Sequence, residues 1–530
     1  MIDWGTRIVT KVVNGYPLRV FEPRPSSIGA ALEEGRKWSE REFIVYGERR
    51  VRFSQFLTAV DRTSAYLKTL GVLPVQLNAI LASNSPEWLL AFWALAKLRA
   101  TAVLGNSWWV EREATAALLP LKPHLIFVDD RRRGILPSNA STVRIEDLQR
   151  FLDDDSPAPT CETVLEGEEE DVSVIIYTSG TTGAAKAAML SHRAIIASVQ
   201  NLMWRRGNRT PALCLPSDPQ VAQLFATPFF HIGITISQIG ALLNGSKCVI
   251  LKGSAEGGRV LDLLQAEKVQ GIAAVPTIMS RIIRHPSVVD RDLSFIKSVG
   301  VAGAMFSRDL IDETTRVIGN PGLVFGTMFG MTETGGPVTF TDGAEYAAHP
   351  NSAGTALALS EVGIAGQGTE GEILTRSGSQ MTGYWGKPDD TTIDANGWVH
   401  TGDLGRIDSD GHLYVTGRLK DIIIRGGENI SASEVEGAIE RHPAVAEVAV
   451  IGLAHPDLGE EVGAVVVTRS NTELDVKHLS EFLAGELAYF RIPSRWWVRQ
   501  EPLPINANGK IQKAKLRDEW RNAIANGASS

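Results

Sequence analysis

Cysteine is scarce in this 530-residue chain, with three residues in all, and their positions exclude two kinds of site. Cys161, Cys214 and Cys248 are too far apart for a Cys-x-x-Cys metal motif, and three thiols are a poor basis for a disulfide framework. Scarce cysteine favours a reducing compartment, so we expect a cytoplasmic protein.

The chain also lacks a long apolar run and an excess of positive charge. Its most apolar stretch, Trp88 to Leu104, contains Lys97 and Arg99 and is shorter than a membrane-spanning helix needs. The N-terminus has no basic-then-apolar signal-peptide pattern. The net charge of −8, from 53 basic and 61 acidic residues, argues against nucleic acid as the main partner. We therefore expect no transmembrane segment and no nucleic-acid partner.

The length predicts more than one domain, because 530 residues exceed one ordinary core. Helical and strand-like patterns alternate at first, as in a predicted helix from Phe53 to Leu70, and short strands with glycine turns follow from about residue 360. Near residue 431 a short helix begins, with Ser431 and Glu434 as a candidate capping box. We predict an α/β fold with a large N-terminal domain, residues 1–419, of layered α/β subdomains plus a β subdomain. A small α+β C-terminal domain, residues 420–530, completes the prediction.

A loop rich in hydroxyls and glycines follows the predicted strand Val172 to Tyr177. Glycines let the backbone approach an anion closely, successive N–H groups can converge on it, and a lysine adds positive charge. The sequence differs from the Walker loop, in which a metal-binding hydroxyl follows the lysine. By itself the pattern fits either a phosphate-binding loop or an ordinary polar hairpin turn. The candidate phosphate-binding residues are Thr178, Ser179, Gly180, Thr181, Thr182, Gly183 and Lys186.

Four further stretches follow in order. They read FGMTET at Phe329–Thr334, TGDLGRID at Thr401–Asp408, GRLKDIIIRGGENISASEVE at Gly417–Glu436, and LPINANGKIQK at Leu503–Lys513. With YTSGTTGAAK, they resemble the phosphate, adenine-and-magnesium, ribose, hinge and C-terminal lysine motifs of the adenylate-forming superfamily, specifically the acyl-CoA synthetases (fatty-acid–CoA ligases). The resemblance covers about residues 30 to 520. The loop departs from the family pattern at Ala185, usually proline, and Ala187, usually glycine, but neither change removes a charge or a donor.

The resemblance implies a ligase with two half-reactions. A carboxylate attacks the α-phosphorus of ATP with release of pyrophosphate, and the thiol of CoA then displaces AMP from the acyl-adenylate. The implied cofactors are ATP, Mg²⁺ and CoA as co-substrate, and the implied partner is a hydrophobic carboxylic acid. Magnesium suits the first step because two anions must approach each other, and hard oxygen ligands hold that ion. The matching metal positions are Thr181 and Glu333.

The resemblance also implies which residues in and near FGMTET contact the nucleotide. Thr332 is expected to donate to the α-phosphate, and Phe329 stands where the family usually carries a tyrosine against adenine. A phenyl face can still stack, although an ordinary core aromatic is the alternative for Phe329. A solvated surface carboxylate is the alternative for Glu333. The other residues assigned to the nucleotide are Gly303, Ala304, Gly326, Thr327 and Met328.

Three charged residues complete the implied nucleotide site. Asp403 is expected to accept hydrogen bonds from the ribose diol, and Arg418 to contact ribose and phosphate. Lys510 is expected to bridge the carboxylate and α-phosphate oxygens and to stabilise charge in the transition state. The alternatives are a turn-forming aspartate and a solvated lysine. The implied catalytic residues are Lys510, Thr332, Glu333 and His231.

For the second half-reaction, the resemblance implies a mobile C-terminal domain that rotates about a hinge at Lys420. The rotation withdraws Lys510 and presents the loop Gly426, Gly427 and Glu428 to CoA. Two adjacent glycines leave room for a thin pantetheine arm. Many family members carry aspartate at the hinge, where lysine is also accepted.

The acid is the least defined partner. His231 matches a gate position between the acid pocket and the thiol tunnel, although a satisfied core histidine is its alternative. The segments around the pocket are apolar and contain small residues, so fatty, aryl, alicyclic, terpenoid and steroid-derived acids all stay open. The candidate pocket residues are Phe229, Phe230, His231, Gly233, Ala302 and Gly303.

Other functions remain open from the sequence. An acyl-AMP ligase that loads a carrier protein is the nearest, although the inserted segment usual in such enzymes is missing. An amino-acid-activating enzyme is disfavoured because PFFHIGITIS offers no aspartate for an ammonium group. A non-catalytic nucleotide-binding relative is the alternative from another class. A homodimer is expected by resemblance only.

Overall fold

The computed structural model describes residues 4–154, 156–157, 159, 161–178, 185–205, 210–253, 256–274, 276–301, 308–366, 368–469, 474–506 and 510–525. The chain forms two compact units. The first comprises Met1–Val362 and Leu374–His400, and the second comprises Gly363–Ile373 and Thr401–Ser530. This packing division near residue 400 differs from the boundary proposed at residue 420. The latter describes a hinge, and it stays a prediction.

A seven-stranded sheet in the first unit carries both ends of the predicted phosphate loop. Val172–Thr178 pairs in parallel with its neighbour on one side, and Lys186–Ser191 is antiparallel to it on the other. Ala79, Val103 and Ile175 are fully buried in the core of this sheet. In sheet order, the strands are Gly383–Tyr384, Lys186–Ser191, Val172–Thr178, Thr101–Leu104, Leu77–Leu81, Ile126–Val128 and Thr142–Arg144.

A nine-stranded sheet in the same unit carries FGMTET at one strand end. Its central strands are parallel, whereas Val324–Met331 and Gly336–Asp342 form an antiparallel pair. Val249, Val260 and Leu264 are fully buried in its core. In sheet order, the strands are Thr355–Ala356, Gly336–Asp342, Val324–Met331, Ser298–Val301, Gly271–Ala274, Ala222–Phe225, Lys247–Ile250, Glu42–Tyr46 and Arg49–Arg52.

Smaller sheets occupy the ends of the chain and its later part. Arg7–Val13 pairs with Tyr16–Glu22 near the N-terminus. A four-stranded sheet has the order Ser360–Ile364, Gly371–Ser377, Val399–Ile407 and Leu413–Arg418. In the second unit the order is Glu428–Ser431, Ile422–Arg425, Gly459–Thr468 and Val445–His455, with Arg495–Arg499 parallel to Gly459–Thr468.

Local sequence explains several helix boundaries. Ser85 accepts a hydrogen bond from Trp88 N at 3.1 Å, and Pro86 occupies the first helical position, so the buried helix begins where the sequence predicts. The predicted helix at Phe53 is also confirmed. The α-helices in the described residues are Ala31–Gly35, Phe53–Thr69, Pro86–Lys97, Glu111–Leu118, Gln149–Leu152, His192–Arg205, Ile232–Asn244, Gly257–Glu267, Pro276–Ile283, Arg308–Ile318, Gly343–Ala348, Ala432–Glu440, Val476–Ala484 and Lys513–Ala525.

One predicted cap is wrong. Ser431 precedes the helix Ala432–Glu440, but its Oγ donates to the carbonyl of Thr416 at 2.9 Å and makes no capping bond. The Glu434 side chain forms an ion pair with Arg491. The predicted α/β class, with a β-rich segment after residue 360 and a small α+β region at the end, is confirmed. In the part of the chain that the structure describes, every helix is too short or too polar to cross a bilayer.

Candidate active site

Glu333 lies in a tight turn, Met331–Gly336, between two antiparallel strands of the nine-stranded sheet. Thr334 Oγ1 lies 2.9 Å from Met331 N and 2.6 Å from the carbonyl of Gly336, and Gly335 N donates to Thr332 O at 2.9 Å. Gly335 has φ +71°, a conformation that favours glycine. The turn thereby fixes the backbone of both predicted catalytic residues, Thr332 and Glu333.

The Glu333 carboxylate is buried and engaged on one oxygen. Its exposed fraction is 5%, and Tyr384, itself 6% exposed, donates from its hydroxyl to Oε1 at 2.6 Å. Burial, followed by the Glu333 charge and this hydrogen bond, raises the pKa of Tyr384 well above its ordinary value. The Tyr384 hydroxyl therefore keeps its proton and acts only as a hydrogen-bond donor to Glu333. The alternative of a solvated surface position for Glu333 is excluded.

Strand pairing fixes Tyr384 beside the phosphate loop. Tyr384 pairs with Ala188 across antiparallel strands, Thr382 N donates to Met189 O, and Trp385 N donates to Ala187 O, both at 2.9 Å. The tyrosine side chain thus connects the seven-stranded sheet to the Glu333 turn of the nine-stranded sheet.

Lys186 is the first residue of the strand that follows the loop, and its side chain contacts Tyr384 and Asp390. Its Nζ is 2.8 Å from Asp390 Oδ2 and 4.6 Å from the centre of the Tyr384 ring. Burial of Asp390 would raise its pKa, but the hydrogen bonds from Lys186 and Thr392 outweigh burial and lower it. Lys186 pairs with Thr178 across the two antiparallel strands that flank the loop, and phosphate binding by the loop stays a prediction. The predicted residues Ser179, Gly180, Thr181, Thr182 and Gly183 lie outside the described residues.

The predicted adenine strand is largely buried. Phe329 is 9% exposed, and its backbone N donates to Thr339 Oγ1 at 3.3 Å. Thr327 is buried and Met328 is half-buried on the same strand, Val324–Met331. Stacking of Phe329 on adenine stays a prediction. Gly326 is buried there too, whereas Ala302, Gly303 and Ala304 lie outside the described residues.

The predicted acid-pocket segment leads into the helix Ile232–Asn244. Phe229 packs edge-on against Trp88 at a centroid distance of 5.2 Å, and Phe230 contacts the His231 ring at 4.3 Å. His231 is half-buried at the helix N-cap. Gly233 is exposed, and a Cβ there would meet no atom within 4 Å. Space therefore opens beside the first helical turn, while Phe229 belongs to the core.

The second unit holds the predicted ribose and lysine residues. Asp403 and Arg418 lie opposite each other on paired strands, with Arg418 Nε 3.1 Å from Asp403 Oδ1. Burial raises the pKa of Asp403, although the charges of Arg418, Lys510 and Lys420 act in the opposite direction. The structure therefore brings Asp403 and Arg418 into contact, and the charges of Lys420 and Lys510 act on the same carboxylate.

The predicted CoA loop is a two-residue β-turn. Gly426 and Gly427 have φ of +60° and +92° and connect Ile422–Arg425 to Glu428–Ser431, with Arg425 paired to Glu428. Positive φ at both positions explains the two glycines. A Cβ at Gly427 would meet no atom within 4 Å, so the surface beside it is open. CoA binding here stays a prediction.

The chemistry of Glu333 fits a divalent cation. Among the described residues no group of three or more His, Cys, Asp or Glu side chains is arranged for a metal. Within the same residues no lysine or arginine pairs with Glu333, and its Oε2 accepts no hydrogen bond. A buried carboxylate is costly without a cation, and carboxylate oxygen is a ligand that Mg²⁺ prefers. The second predicted ligand, Thr181, lies outside the described residues.

Sequence reasoning missed two residues of this site, Tyr384 and Asp390. They lie 51 and 204 positions from the partners Glu333 and Lys186. No local pattern marks either residue, because both contacts depend on which strands pair. The only local signal is that Tyr384 lies between Gly383 and Gly386 in the stretch MTGYWGKPDD.

Comparison with known proteins decides the family. The model of the AMP-binding enzyme family matches residues 32–385, and the model of the AMP-binding enzyme C-terminal domain matches residues 434–510. The chain belongs to the AMP-binding enzyme family. The predicted membership of the adenylate-forming superfamily, as an acyl-CoA synthetase, is thereby confirmed. This chain is accordingly an AMP-forming acid–thiol ligase that binds ATP and forms acyl-CoA.

Named relatives of this AMP-binding enzyme cover nearly all of it. Feruloyl-CoA synthase from Amycolatopsis sp. is 32% identical over 495 residues, which are 89% of this chain and 95% of the relative. Indoleacetate–CoA ligase from Aromatoleum aromaticum is 30% identical over 509 residues, 92% of this chain and 96% of the relative. The solved structure of o-succinylbenzoate coenzyme A synthetase from Bacillus subtilis with ATP and magnesium ion is also similar. It has a TM-score of 0.77 and 26% identity, and covers 92% of this chain and 99% of that chain.

Proposed function

We propose that this AMP-binding enzyme joins a hydrophobic carboxylic acid to CoA, using ATP and Mg²⁺. The observation that supports the proposal best is the buried Glu333 carboxylate, which has no cationic partner among the described residues and accepts a hydrogen bond from Tyr384, whose ring lies under the Lys186 ammonium group. A cation bound by Glu333 would neutralise part of the phosphate charge that otherwise repels the incoming carboxylate.

The chain's own residues have the following proposed roles. Thr332 donates to the α-phosphate and Lys186 neutralises phosphate charge, while Asp403 and Arg418 hold the ribose. Lys510 stabilises the negative charge that develops as the carboxylate oxygen bonds to phosphorus and pyrophosphate leaves. Gly426 and Gly427 let the CoA thiol arm pass close to the backbone when AMP is displaced. His231 gates the acid.

An uncharged acid tail is supported by the apolar character of the segment 229–234. Phe229 and Phe230 are buried beside the helix N-terminus, and Gly233 leaves space there. The names of the relatives include a feruloyl, an indoleacetyl and a fused-ring propanoyl substrate. We therefore propose an acid with an aromatic or alicyclic ring system as the first class to test.

The test is a pyrophosphate-release screen of purified protein with ring-bearing and straight-chain acids, each with and without CoA. We expect turnover with at least one ring-bearing acid, dependence on Mg²⁺, and acyl-CoA formation confirmed by mass spectrometry. Adenylate formation without transfer to CoA would instead favour a carrier-protein thiol. Absence of pyrophosphate release with every acid would contradict the proposal.

A further inference from the structure

The contact between Tyr384 and Glu333 is more specific than packing requires. Both side chains are buried, and the only side-chain donor to the Glu333 carboxylate among the described residues is the Tyr384 hydroxyl, at 2.6 Å from Oε1. A carboxylate with two equivalent oxygens can rotate about its last bond. One fixed donor sets the orientation of the carboxylate group and leaves its second oxygen directed away from the hydroxyl.

Tyr384 itself has little freedom. Its strand is hydrogen-bonded on one side to the strand that carries Lys186, and Met381 N donates to the Glu333 carbonyl at 2.9 Å. Ser379 Oγ donates to Thr334 O at 2.8 Å, which ties the preceding residues to the same turn. The Lys186 ammonium lies over the Tyr384 ring, 4.6 Å from its centre. The ring therefore has a fixed position between the lysine and the carboxylate.

We propose that Tyr384 is a positioning residue for metal binding: its hydroxyl holds Oε1 of Glu333 and leaves Oε2 directed at a divalent cation. The proposal rests on the proposed function, because it takes Glu333 as the metal ligand. It adds a residue to the metal site that touches neither the cation nor the nucleotide. A tyrosine that only filled space would need its ring and not its hydroxyl.

Tyr384→Phe tests the proposal, because it removes the hydroxyl and keeps the ring beside Lys186. The measurement is the dissociation constant of ATP by calorimetry, with Mg²⁺ and with EDTA, and the ratio of the two gives the metal enhancement. We expect Y384F to reduce the enhancement about tenfold, the effect of losing a hydrogen bond to a charged group. Binding of metal-free ATP should stay within about twofold of wild type.

Tyr414→Phe is the matched control. The Tyr414 hydroxyl also donates to a carboxylate, Asp408 Oδ2 at 3.1 Å, in the second unit. Y414F should leave the metal enhancement unchanged. Melting temperatures of both variants distinguish a loss of fold from a loss of metal affinity.

A double-variant comparison keeps the proposal testable if Y384F alone is unstable. Glu333→Gln removes the charge that would otherwise be left buried without a donor, so E333Q and E333Q/Y384F can be compared directly. If Tyr384 acts through Glu333, both should show the same residual enhancement. A further loss in the double variant, or an unchanged ratio in a folded Y384F, would overturn the proposal. Wild-type protein that releases no pyrophosphate and shows no metal enhancement would instead reject the proposed function.

Discussion

Asp403 and Arg418 lie directly opposite each other on paired strands, with Arg418 Nε 3.1 Å from Asp403 Oδ1. Only one carboxylate oxygen is used by this contact, so the other can accept a ribose hydroxyl. Burial raises the pKa of the aspartate above its ordinary value, so it loses its charge at a higher pH than an exposed aspartate does.

The Asp403 carboxylate should distinguish ATP from its 2′-deoxy analogue. Asp403→Asn should raise the KM for ATP about tenfold, since a hydrogen bond to a charged group is lost, and it should raise the KM for 2′-deoxy-ATP less. The wild-type KM for ATP should rise as the pH falls toward the raised pKa, and D403N should lack that rise. Asp408→Asn, at a hairpin turn of the same strand pair, is the control. Equal changes for ATP and its deoxy analogue would argue against a ribose contact.

Lys510 should separate the two half-reactions. Its backbone is fixed by Asn506, with Lys510 N 3.0 Å from Asn506 Oδ1. Lys510→Ala should slow adenylate formation by about two to three orders of magnitude, because a preorganised charge on the transition state is lost. Thioester formation from supplied acyl-AMP should be largely preserved. Pyrophosphate and CoA-thiol assays measure the two steps.

The exposed Lys515 supplies the control for that experiment. It lies near Lys510 in the sequence and faces Glu519 at 3.9 Å. Lys515→Ala should leave both half-reactions unchanged. A K510A variant that loses both steps equally would contradict the role given to Lys510.

Gly335 should be less tolerant of alanine than a glycine of the same backbone conformation. Its φ is +71°, and a Cβ would lie 1.7 Å from the Ser379 carbonyl oxygen; Gly319 has φ +68° with nothing within 4 Å. Gly319→Ala should cost about 1–2 kcal/mol for the backbone alone. Gly335→Ala should lower the melting temperature further and reduce adenylate formation, since it displaces the Glu333 turn. Similar melting temperatures for the two variants would contradict this prediction, because they would show that the Met331–Gly336 turn accommodates the added Cβ without loss of stability.

His192 should make the fold sensitive to acid. It is 1% exposed, its Nδ1 accepts from Ile28 N at 3.2 Å, and burial, with the Arg99 charge, lowers its pKa from 6.5 to about 3. A lowered pKa means that stability is complete above pH 6.5 and is lost as the pH falls toward 3. The loss should approach about 1.4 kcal/mol per pH unit.

His192→Asn removes this titration and keeps an acceptor. Urea unfolding of wild type and H192N at pH 7.5, 6 and 5 should show the wild type losing more free energy of unfolding on acidification. Parallel losses in the two proteins would assign the acid sensitivity to other groups.

The parts of the fold that depend on residues close together in the sequence could be predicted from the sequence. The helix that begins at Pro86 has its cap, its proline and its apolar residues within one short stretch. Ser431 shows the limit, since a hydroxyl with a capping pattern bonds to Thr416, a residue brought near by the preceding hairpin. The motif residues Glu333 and Asp403 were found by resemblance, but Tyr384 and Asp390 were not. Their contacts are set by strand register between distant segments, which sequence spacing does not encode.

The ion pair between Lys186 and Asp390 has a consequence for the catalytic cycle. If Lys186 binds phosphate as proposed, the phosphate meets an ammonium group whose charge is already shared with a carboxylate 2.8 Å away. The ammonium has three N–H donors, so it can hold Asp390 and a phosphate oxygen together. Sharing the charge weakens the net attraction for the nucleotide, and it leaves the lysine paired with Asp390 after the anion departs. The ion pair therefore favours release over tight capture.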